Sequence, residues 1–253
     1  DALLSIFMSL GLQQGDEVIV TPYTFIAAIT SIVRAGLKPV FVDLEKDSFH
    51  PSTEKILNAW TEKTKAVLFV HLFGECKETS QLKEICDARG AFLIEDCAQS
   101  FGSRYLDGSH VCTIGHAAAF SFFPAKNLGC LGDGGMVITN DDSLEKKIRM
   151  IRAHGSKKRY YHELLGGNFR LDSIQAAALN VLIDEVDKWI ERRKRNAEYY
   201  LKNIKNSNII RNHTVNSFTT LCTSSVFHFS KTFSISTNFS KSIYIESVSH
   251  AIT

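Results

Sequence analysis

The chain has 253 residues, of which 44% are hydrophobic and 22% charged. These proportions are ordinary for a globular protein, and the length allows one sizeable α/β domain with an appendage. A formal net charge of +2 argues against nucleic acid or a membrane surface as a partner. The sequence shows no signal peptide and no apolar run approaching the roughly 20 residues of a membrane-spanning helix, which predicts a cytoplasmic protein.

Helical and strand-like segments alternate through the first part of the chain. The pattern predicts helices over residues 2–12, 25–34, 52–60 and 80–89, and strands over residues 17–20, 39–43, 66–71 and 91–95. Residues 66–71 form a nearly continuous apolar run, which is typical of a strand buried on both faces. This alternation predicts a three-layer α/β/α fold with a mainly parallel sheet and helices on both sides.

The rest of the chain differs from the first part in two places, a long charged segment and a tail of unusual composition. Strands are predicted over 117–123 and 136–139 and a helix over 142–152, and residues 171–203 predict a long charged helix that carries the chain away from the large domain. Residues 206–253 contain no Gly or Pro and a single acidic residue, Glu246. We therefore expect a large domain over 1–170, a connecting helix over 171–205, and an atypical tail over 206–253. An out-of-frame tail is the favoured hypothesis, and a diverged β-rich segment is the alternative.

The cysteines show no metal-binding or paired pattern. None forms a C-x-x-C motif, and their spacing along the chain is irregular; they are Cys76, Cys86, Cys97, Cys112, Cys130 and Cys222. Structural metal sites usually show paired ligand spacing, so no metal is expected. The sequence therefore predicts reduced thiols in the core.

The segment from Ser121 to Gly135 carries the strongest chemical signal. It places Lys126 in a glycine-studded loop directly after an apolar strand, and another apolar strand ends at Asp96. A lysine amine can form a Schiff base with an aldehyde, a carboxylate can keep a pyridine nitrogen protonated, and the Ser121 hydroxyl can help bind a phosphate. Taken singly, these residues are ordinary surface or capping groups. Together they indicate a site for a phosphorylated aldehyde.

Four segments in order resemble one protein family. They are residues 15–25, 93–100, 121–135 and 167–177, and they are similar to the DegT/DnrJ/EryC1/StrS sugar aminotransferases, which are pyridoxal-phosphate enzymes of the aspartate-aminotransferase fold type. The resemblance runs from Asp1 to about Ile204 and does not include the tail. It implies that an N-terminal segment with a small-residue phosphate loop is missing. It also implies that the small C-terminal domain is missing or aberrant.

The resemblance also assigns roles to individual residues. Lys126 matches the lysine that holds the cofactor and moves the substrate proton, and Asp96 matches the partner of the pyridine nitrogen. Gln99 matches a glutamine beside the cofactor ring that can donate to its phenolate oxygen. Ser121 matches the phosphate-binding serine. Phe25 matches the aromatic residue that stacks on the ring, although an ordinary core phenylalanine is the usual alternative.

Asn168 matches a residue that reaches the partner subunit's cofactor phosphate, which implies a homodimer with shared active sites. The implied reaction moves an amino group from an amino acid, glutamate by expectation, to a nucleotide-linked keto-sugar for amino-sugar and polysaccharide synthesis. The basic run over 157–162 could face the nucleotide diphosphate or simply be solvated.

The sequence allows three alternatives to a transaminase to be compared. One is a sugar dehydratase, which has histidine in place of the lysine and is opposed by Lys126. Another is an inactive fragment or a non-catalytic, regulatory cofactor-binding protein. A nicotinamide enzyme is disfavoured because no G-x-G-x-x-G motif follows the first strand.

Overall fold

A six-stranded sheet forms the centre of the fold in a computed structural model that describes residues 1–46 and 48–205, together with the backbone of residues 209–211 and 227–229. The sheet order is β2-β1-β3-β4-β5-β6. The first five strands are parallel, and β6 lies antiparallel to β5 at one edge. The strands are β1 (Glu17–Val20), β2 (Lys38–Phe41), β3 (Thr64–Val70), β4 (Phe92–Asp96), β5 (Ala117–Ser121) and β6 (Gly135–Ile138).

Seven α-helices accompany this sheet in the described residues, and several begin where the sequence supplies a cap. The Ser52 hydroxyl accepts a hydrogen bond from the Lys55 N–H at the start of α3. The Asp141 carboxylate accepts hydrogen bonds from the N–H groups of Ser143 and Leu144 at the start of α5. The helices are α1 (Ala2–Ser9), α2 (Ile26–Arg34), α3 (Thr53–Asn58), α4 (Ser80–Ala88), α5 (Asp142–Ile151), α6 (Ser173–Leu182) and α7 (Val186–Asn203).

The two faces of the sheet are covered by different helices. Helices α1, α2 and α5 pack on one face, where Ile6 and Ile32 are fully buried. Helices α3 and α4 pack on the other, with Ile56 and Leu82 in the core. Successive side chains of a strand point to opposite faces, so a strand covered on both sides must be apolar throughout. The predicted three-layer α/β/α fold with a mainly parallel sheet is confirmed.

The long helix predicted over residues 171–203 is interrupted. A 3₁₀ turn over Ile183–Glu185 separates α6 from α7. Val186 and Ile190 at the start of α7 are buried beside Gly102, where an added Cβ would lie 2.5 Å from the Ile190 Cδ1 atom. The first residues of α7 therefore pack on the loop after β4. That the segment carries the chain away from the large domain stays a prediction.

Two pairs of short strands lie outside the central sheet. A hairpin joins β7 (Ser156–Lys158) and β8 (Tyr161–His162), and in the tail β9 (Ile209–Arg211) pairs antiparallel with β10 (Phe227–Phe229). The remainder of residues 206–253, on which the out-of-frame hypothesis bears, lies outside the described residues. No helix in the described ranges is long and apolar enough to cross a membrane.

The cysteines within the described residues are buried. The structure places the buried side chains of Cys97 and Cys112 together, with their Cα atoms 6.4 Å apart, and Cys76, Cys86 and Cys130 are buried thiols. The prediction of reduced core thiols is confirmed for the last three, and for Cys97 and Cys112, which the loop after β4 brings together, it stays a prediction. Cys222 lies outside the described residues.

Candidate active site

The predicted site residues follow strands whose carboxyl ends meet at one edge of the sheet. Strands β1, β3, β4 and β5 are parallel neighbours, so the segments after them emerge on the same side. Phe25 lies after β1, Gln99 after β4 and Lys126 after β5. Ligands of open α/β sheets bind at this edge.

Asp96 is the last residue of β4 and lies in register with Val70 of β3 and Ala119 of β5. It is only 8% exposed, and its Oδ1 atom accepts a hydrogen bond from the Ala98 N–H at 3.0 Å. Burial raises the pKa of the Asp96 carboxyl, although the positive charge of Lys126 partly opposes this shift. A buried carboxylate with so little compensation favours a cationic partner.

Lys126 lies close enough to Asp96 for the two charges to interact. Burial lowers the pKa of the Lys126 amine, and Asp96 acts in the opposite direction. The backbone of the loop is tightly folded, since an added Cβ at Gly129 would lie 2.5 Å from the Pro124 carbonyl oxygen. The structure thus holds a half-buried amine, with an increased neutral fraction, beside a buried carboxylate.

Gln99 is oriented by two neighbouring loops. Its side-chain oxygen accepts a hydrogen bond from the Phe73 N–H at 2.7 Å, so the amide NH₂ is the end available to donate to a ligand. The side-chain amide of Asn127 donates to the backbone carbonyls of Gln99 at 3.4 Å and Phe101 at 3.1 Å. Asn127 follows Lys126 directly and is 3% exposed. It joins the segment after β4 to the lysine loop.

Ser121 and Phe25 lie on the same edge of the sheet. Ser121 ends β5 opposite Gly135 of β6, and its hydroxyl oxygen accepts a hydrogen bond from the Phe123 N–H at 3.3 Å, which leaves the hydroxyl proton free to donate. Phe25 precedes α2 and is 67% exposed. An ordinary core position is therefore wrong for Phe25, whose ring remains available for stacking.

Asn168 lies apart from these residues. It is exposed and forms an isolated antiparallel bridge with Ala153 at the end of α5. Within the described residues it makes no hydrogen bond to Lys126, Asp96 or Gln99. Its assignment to a partner subunit's cofactor stays a prediction.

A buried polar network behind Asp96 was not anticipated from the sequence. The Glu95 carboxylate is fully buried and accepts hydrogen bonds from His71 Nε2 at 3.0 Å, the Tyr105 hydroxyl at 2.9 Å and the Gly115 N–H at 2.6 Å. Burial acts to raise the pKa of Glu95, but these hydrogen bonds outweigh it and hold the pKa below its usual range. The available signal was the pair of adjacent carboxylates ending an apolar strand. Because side chains alternate along a strand, the two carboxylates point to opposite faces.

The groups at the sheet edge suit a phosphorylated pyridine aldehyde. The Lys126 amine can bind an aldehyde carbon, and the Asp96 carboxylate can accept a hydrogen bond from a ring nitrogen. The amide NH₂ of Gln99, the Ser121 hydroxyl and the exposed Phe25 ring can serve a phenolate, a phosphate and an aromatic face, respectively.

Solved structures with the same fold include aminotransferases and a GDP-4-keto-6-deoxymannose-3-dehydratase. The chain superposes on DesV of S. venezuelae in complex with a ketimine intermediate with a TM-score of 0.79 and 37% identity, covering 91% of this chain and 60% of that one. It superposes on NtdA from Bacillus subtilis, with bound cofactor PMP, with a TM-score of 0.79 and 25% identity, covering 87% and 51%. The chain therefore has the fold of these solved proteins, one of which holds the cofactor PMP.

The sequence comparisons specify the family. Residues 1–247 match the DegT/DnrJ/EryC1/StrS aminotransferase family, and the chain belongs to it. This match extends past Ile204, where the motif resemblance was expected to end. A "Pleiotropic regulatory protein" of Geobacillus stearothermophilus is 48% identical over 202 residues, covering 80% of this chain and 54% of the relative. The dTDP-3-amino-3,4,6-trideoxy-alpha-D-glucose transaminase of Streptomyces venezuelae is 42% identical over 206 residues, covering 81% and 54%. The chain thus spans about half the length of the curated relatives it matches.

Proposed function

We propose that the protein is a pyridoxal-phosphate-dependent aminotransferase that converts a nucleotide-linked keto-sugar to an amino sugar, with glutamate as amino donor. The observation that carries the proposal is Lys126, whose pKa is lowered by burial, beside the buried Asp96 at the carboxyl edge of the sheet. The transaminase name of the S. venezuelae relative supports a nucleotide-linked sugar as acceptor.

The residues of the site have two roles, which are binding of the cofactor and transfer of a proton. The cofactor supplies an electron sink for the charge that develops when a proton leaves the donor's Cα. The Lys126 amine holds the cofactor and is the group placed to remove and return that proton. Its lowered pKa favours the neutral form, which is both the nucleophile and the base.

Asp96 would keep the ring nitrogen protonated, because a buried carboxylate gains most from a charge-assisted hydrogen bond. Gln99 would donate to the phenolate oxygen and Ser121 to the phosphate, while Phe25 would cover one ring face. Asn168 would reach the cofactor phosphate of a second copy, so the active form would be a homodimer. We expect the reaction to take place in the cytoplasm.

The test is chemical trapping of the lysine. The purified chain is incubated with pyridoxal phosphate, reduced with borohydride and digested, and the pyridoxyl-bearing peptide is located by mass spectrometry. We expect one adduct, on Lys126, that disappears in Lys126→Ala. The matched control is Lys157→Ala, which removes an exposed lysine and should leave the adduct unchanged. Adducts scattered over exposed lysines would refute the proposed site.

Transfer of the amino group is measured separately from binding of the cofactor. A separate sample, loaded with pyridoxal phosphate and not treated with borohydride, is mixed with glutamate, and formation of 2-oxoglutarate is followed, which requires no knowledge of the sugar. A stoichiometric amount of 2-oxoglutarate supports the aminotransferase proposal. An adduct without any 2-oxoglutarate, or any other 2-oxo acid from a panel of amino acids, would contradict it.

A second candidate is a regulatory protein that binds the cofactor without transamination. The relative with 48% identity carries the name "Pleiotropic regulatory protein", and this name is the observation that favours the alternative. It predicts the Lys126 adduct with no amino-group transfer from any donor. Lys126 itself opposes a dehydratase, in which the family has histidine.

A further inference from the structure

A left-handed turn follows β3 beside the candidate site. Residues Leu72–Gly74 form a short 3₁₀ turn, in which Phe73 has a φ of 57° and a ψ of 16°. A bulky aromatic residue seldom adopts this region of backbone conformation. Strain of this kind persists only where the surroundings maintain it, and it is found most often at functional sites. The conformation of Phe73 therefore requires contacts that hold it.

The ring of Phe73 makes the first of these contacts. It packs edge-on against Phe49, with the ring centroids 4.9 Å apart and the planes at 81°, and against Tyr23 at 6.5 Å. Tyr23 and Phe49 stack on each other at 6.3 Å. The three residues follow β1, β2 and β3, so this aromatic cluster lies at the carboxyl edge of the sheet. Edge-to-face packing is favourable beyond the area that it buries, so a change of the turn would cost Phe73 these contacts.

The end of the turn is held by the loop after β4. The Ser103 hydroxyl donates a hydrogen bond to the Gly74 carbonyl oxygen at 3.0 Å, and Ser103 is only 2% exposed. The turn is therefore fixed at the ring of Phe73 and again at Gly74.

The left-handed backbone determines the direction of one N–H group. The Phe73 N–H donates to the side-chain oxygen of Gln99 at 2.7 Å. A backbone N–H can only donate, whereas a glutamine amide has one end that accepts and one that donates. The N–H therefore selects the oxygen end of the Gln99 amide for itself and leaves the NH₂ group for a ligand.

We propose that Phe73 is a positioning residue for Gln99. The aromatic cluster of Tyr23, Phe49 and Phe73 holds the left-handed turn, and the turn aims the N–H that orients the Gln99 NH₂ group toward the phenolate oxygen of the cofactor. This rests on the proposed function, in which Gln99 donates to that oxygen. Without the Phe73 N–H the amide is free to rotate and to present its oxygen, which repels a phenolate.

The test compares Phe73→Ala with Phe73→Gly in the full chain. Both variants lack the ring, but glycine adopts a left-handed backbone readily and alanine does not. We expect Phe73→Ala to bind pyridoxal phosphate about tenfold more weakly, which corresponds to the loss of one hydrogen bond, and Phe73→Gly to recover most of this affinity. In the cofactor-free protein, hydrogen exchange of the N–H at residue 73 should be fast in Phe73→Ala and slower in Phe73→Gly.

The absorbance of the bound cofactor adds a spectroscopic signature. A donor at the phenolate oxygen stabilises its ionised form, so Phe73→Ala should raise the pH midpoint of the absorbance change by up to about one unit. Asp96 and Lys126, the charged groups of the candidate site, are unchanged in this variant. Gln99→Leu has no amide and should show the same shift. Adding Phe73→Ala to Gln99→Leu should weaken binding little further, because both changes remove one interaction.

Phe92→Ala is the matched control. It removes a half-buried ring that packs on His116 at the amino end of β4, away from the carboxyl edge of the sheet. It should lower the Tm of the cofactor-free protein and leave both the Kd for pyridoxal phosphate and the pH midpoint unchanged.

The outcomes separate this proposal from the proposed function. An unchanged Kd and midpoint in Phe73→Ala, or a Phe73→Gly variant that binds no better than Phe73→Ala, overturns the positioning role while the Lys126 adduct stands. An equal loss of affinity from Phe73→Ala with and without the Gln99 side chain also overturns it, since the ring would then act elsewhere. No adduct in the unmodified protein refutes the proposed function and the effect on the cofactor together, and the exchange at residue 73 still decides whether the ring holds the turn.

Discussion

Replacing Asp96 by asparagine should make the cofactor-free protein more stable and cofactor binding much weaker. The burial of Asp96 raises its pKa above the ordinary value of 3.8. A group whose pKa is raised by folding contributes most below its unfolded pKa, and this contribution is lost as the pH rises through the folded pKa. Above this raised folded pKa the ionised carboxylate therefore opposes folding, and a neutral amide of the same shape removes that opposition.

The expected sizes follow from the surroundings of Asp96. Among the described residues its carboxylate accepts one hydrogen bond, from the Ala98 N–H, and Lys126 compensates only part of the burial. Changes of this kind at strained functional sites typically stabilise by about 0.5–2 kcal/mol. In a domain of this size about 1 kcal/mol corresponds to a rise in Tm of about 2–4 °C. Truncating a buried charge pair weakens binding by about 2–5 kcal/mol, or roughly 30-fold to several-thousand-fold in Kd.

The assay is thermal unfolding of the cofactor-free protein between pH 5 and 8, combined with pyridoxal-phosphate titration. The gain in Tm should be largest at pH 8 and shrink as the pH is lowered toward 3.8, where both proteins carry a neutral group. Asp184→Asn, at an exposed aspartate, is the control and should change neither quantity. A lower Tm for Asp96→Asn at neutral pH, or an unchanged Kd, would refute the argument that this carboxylate is held for a cationic ligand.

Three further predictions concern the supports of the site. Gly129→Ala should lower the free energy of unfolding by about 1–3 kcal/mol in urea titrations and abolish the Lys126 adduct, because the new Cβ would lie 2.5 Å from the Pro124 carbonyl oxygen. Asn127→Ala should weaken cofactor binding about tenfold by removing one typical hydrogen-bond contribution of about 1.4 kcal/mol, while the adduct still forms at saturating cofactor. Glu95→Gln should destabilise by about 3–5 kcal/mol, because the negative charge is lost and an amide NH₂ replaces one of two buried oxygens that accept from protein donors. Since folding lowers the pKa of Glu95, its contribution is present above the ordinary value of 4.5 and is lost as the pH falls through the lower folded pKa, so the penalty of Glu95→Gln should shrink in acid denaturation.

The fold was predictable because its signals are local. Alternating helix and strand patterns fixed a parallel sheet, and the apolar run that became β3 has the composition of a strand buried on both faces. The break between α6 and α7 was not predictable, because both helices have favourable helical sequences. Next to the break, Val186 and Ile190 pack beside Gly102, a contact between residues more than eighty positions apart that no local pattern indicates.

The candidate site likewise contains residues that the sequence predicts and residues that only the structure reveals. Lys126, Asp96, Gln99 and Ser121 could be named because they sit next to strand ends or in a glycine-rich loop that the sequence marks. The structure adds Asn127, whose role depends on two carbonyls in another segment.

Glu95 and Asp96 show how hydrogen-bond donors distinguish a carboxylate that the protein satisfies from one that it does not. They are adjacent in β4 and both buried, yet folding shifts their pKa values in opposite directions. Glu95 points to the face where protein donors from His71, Tyr105 and Gly115 satisfy it. Asp96 points to the edge where the protein supplies little. Because an uncompensated buried carboxylate is unfavourable, its retention at the carboxyl end of a sheet argues for a ligand that completes it. A protonated ring nitrogen is the ligand group that Lys126, Gln99 and Ser121 would place there.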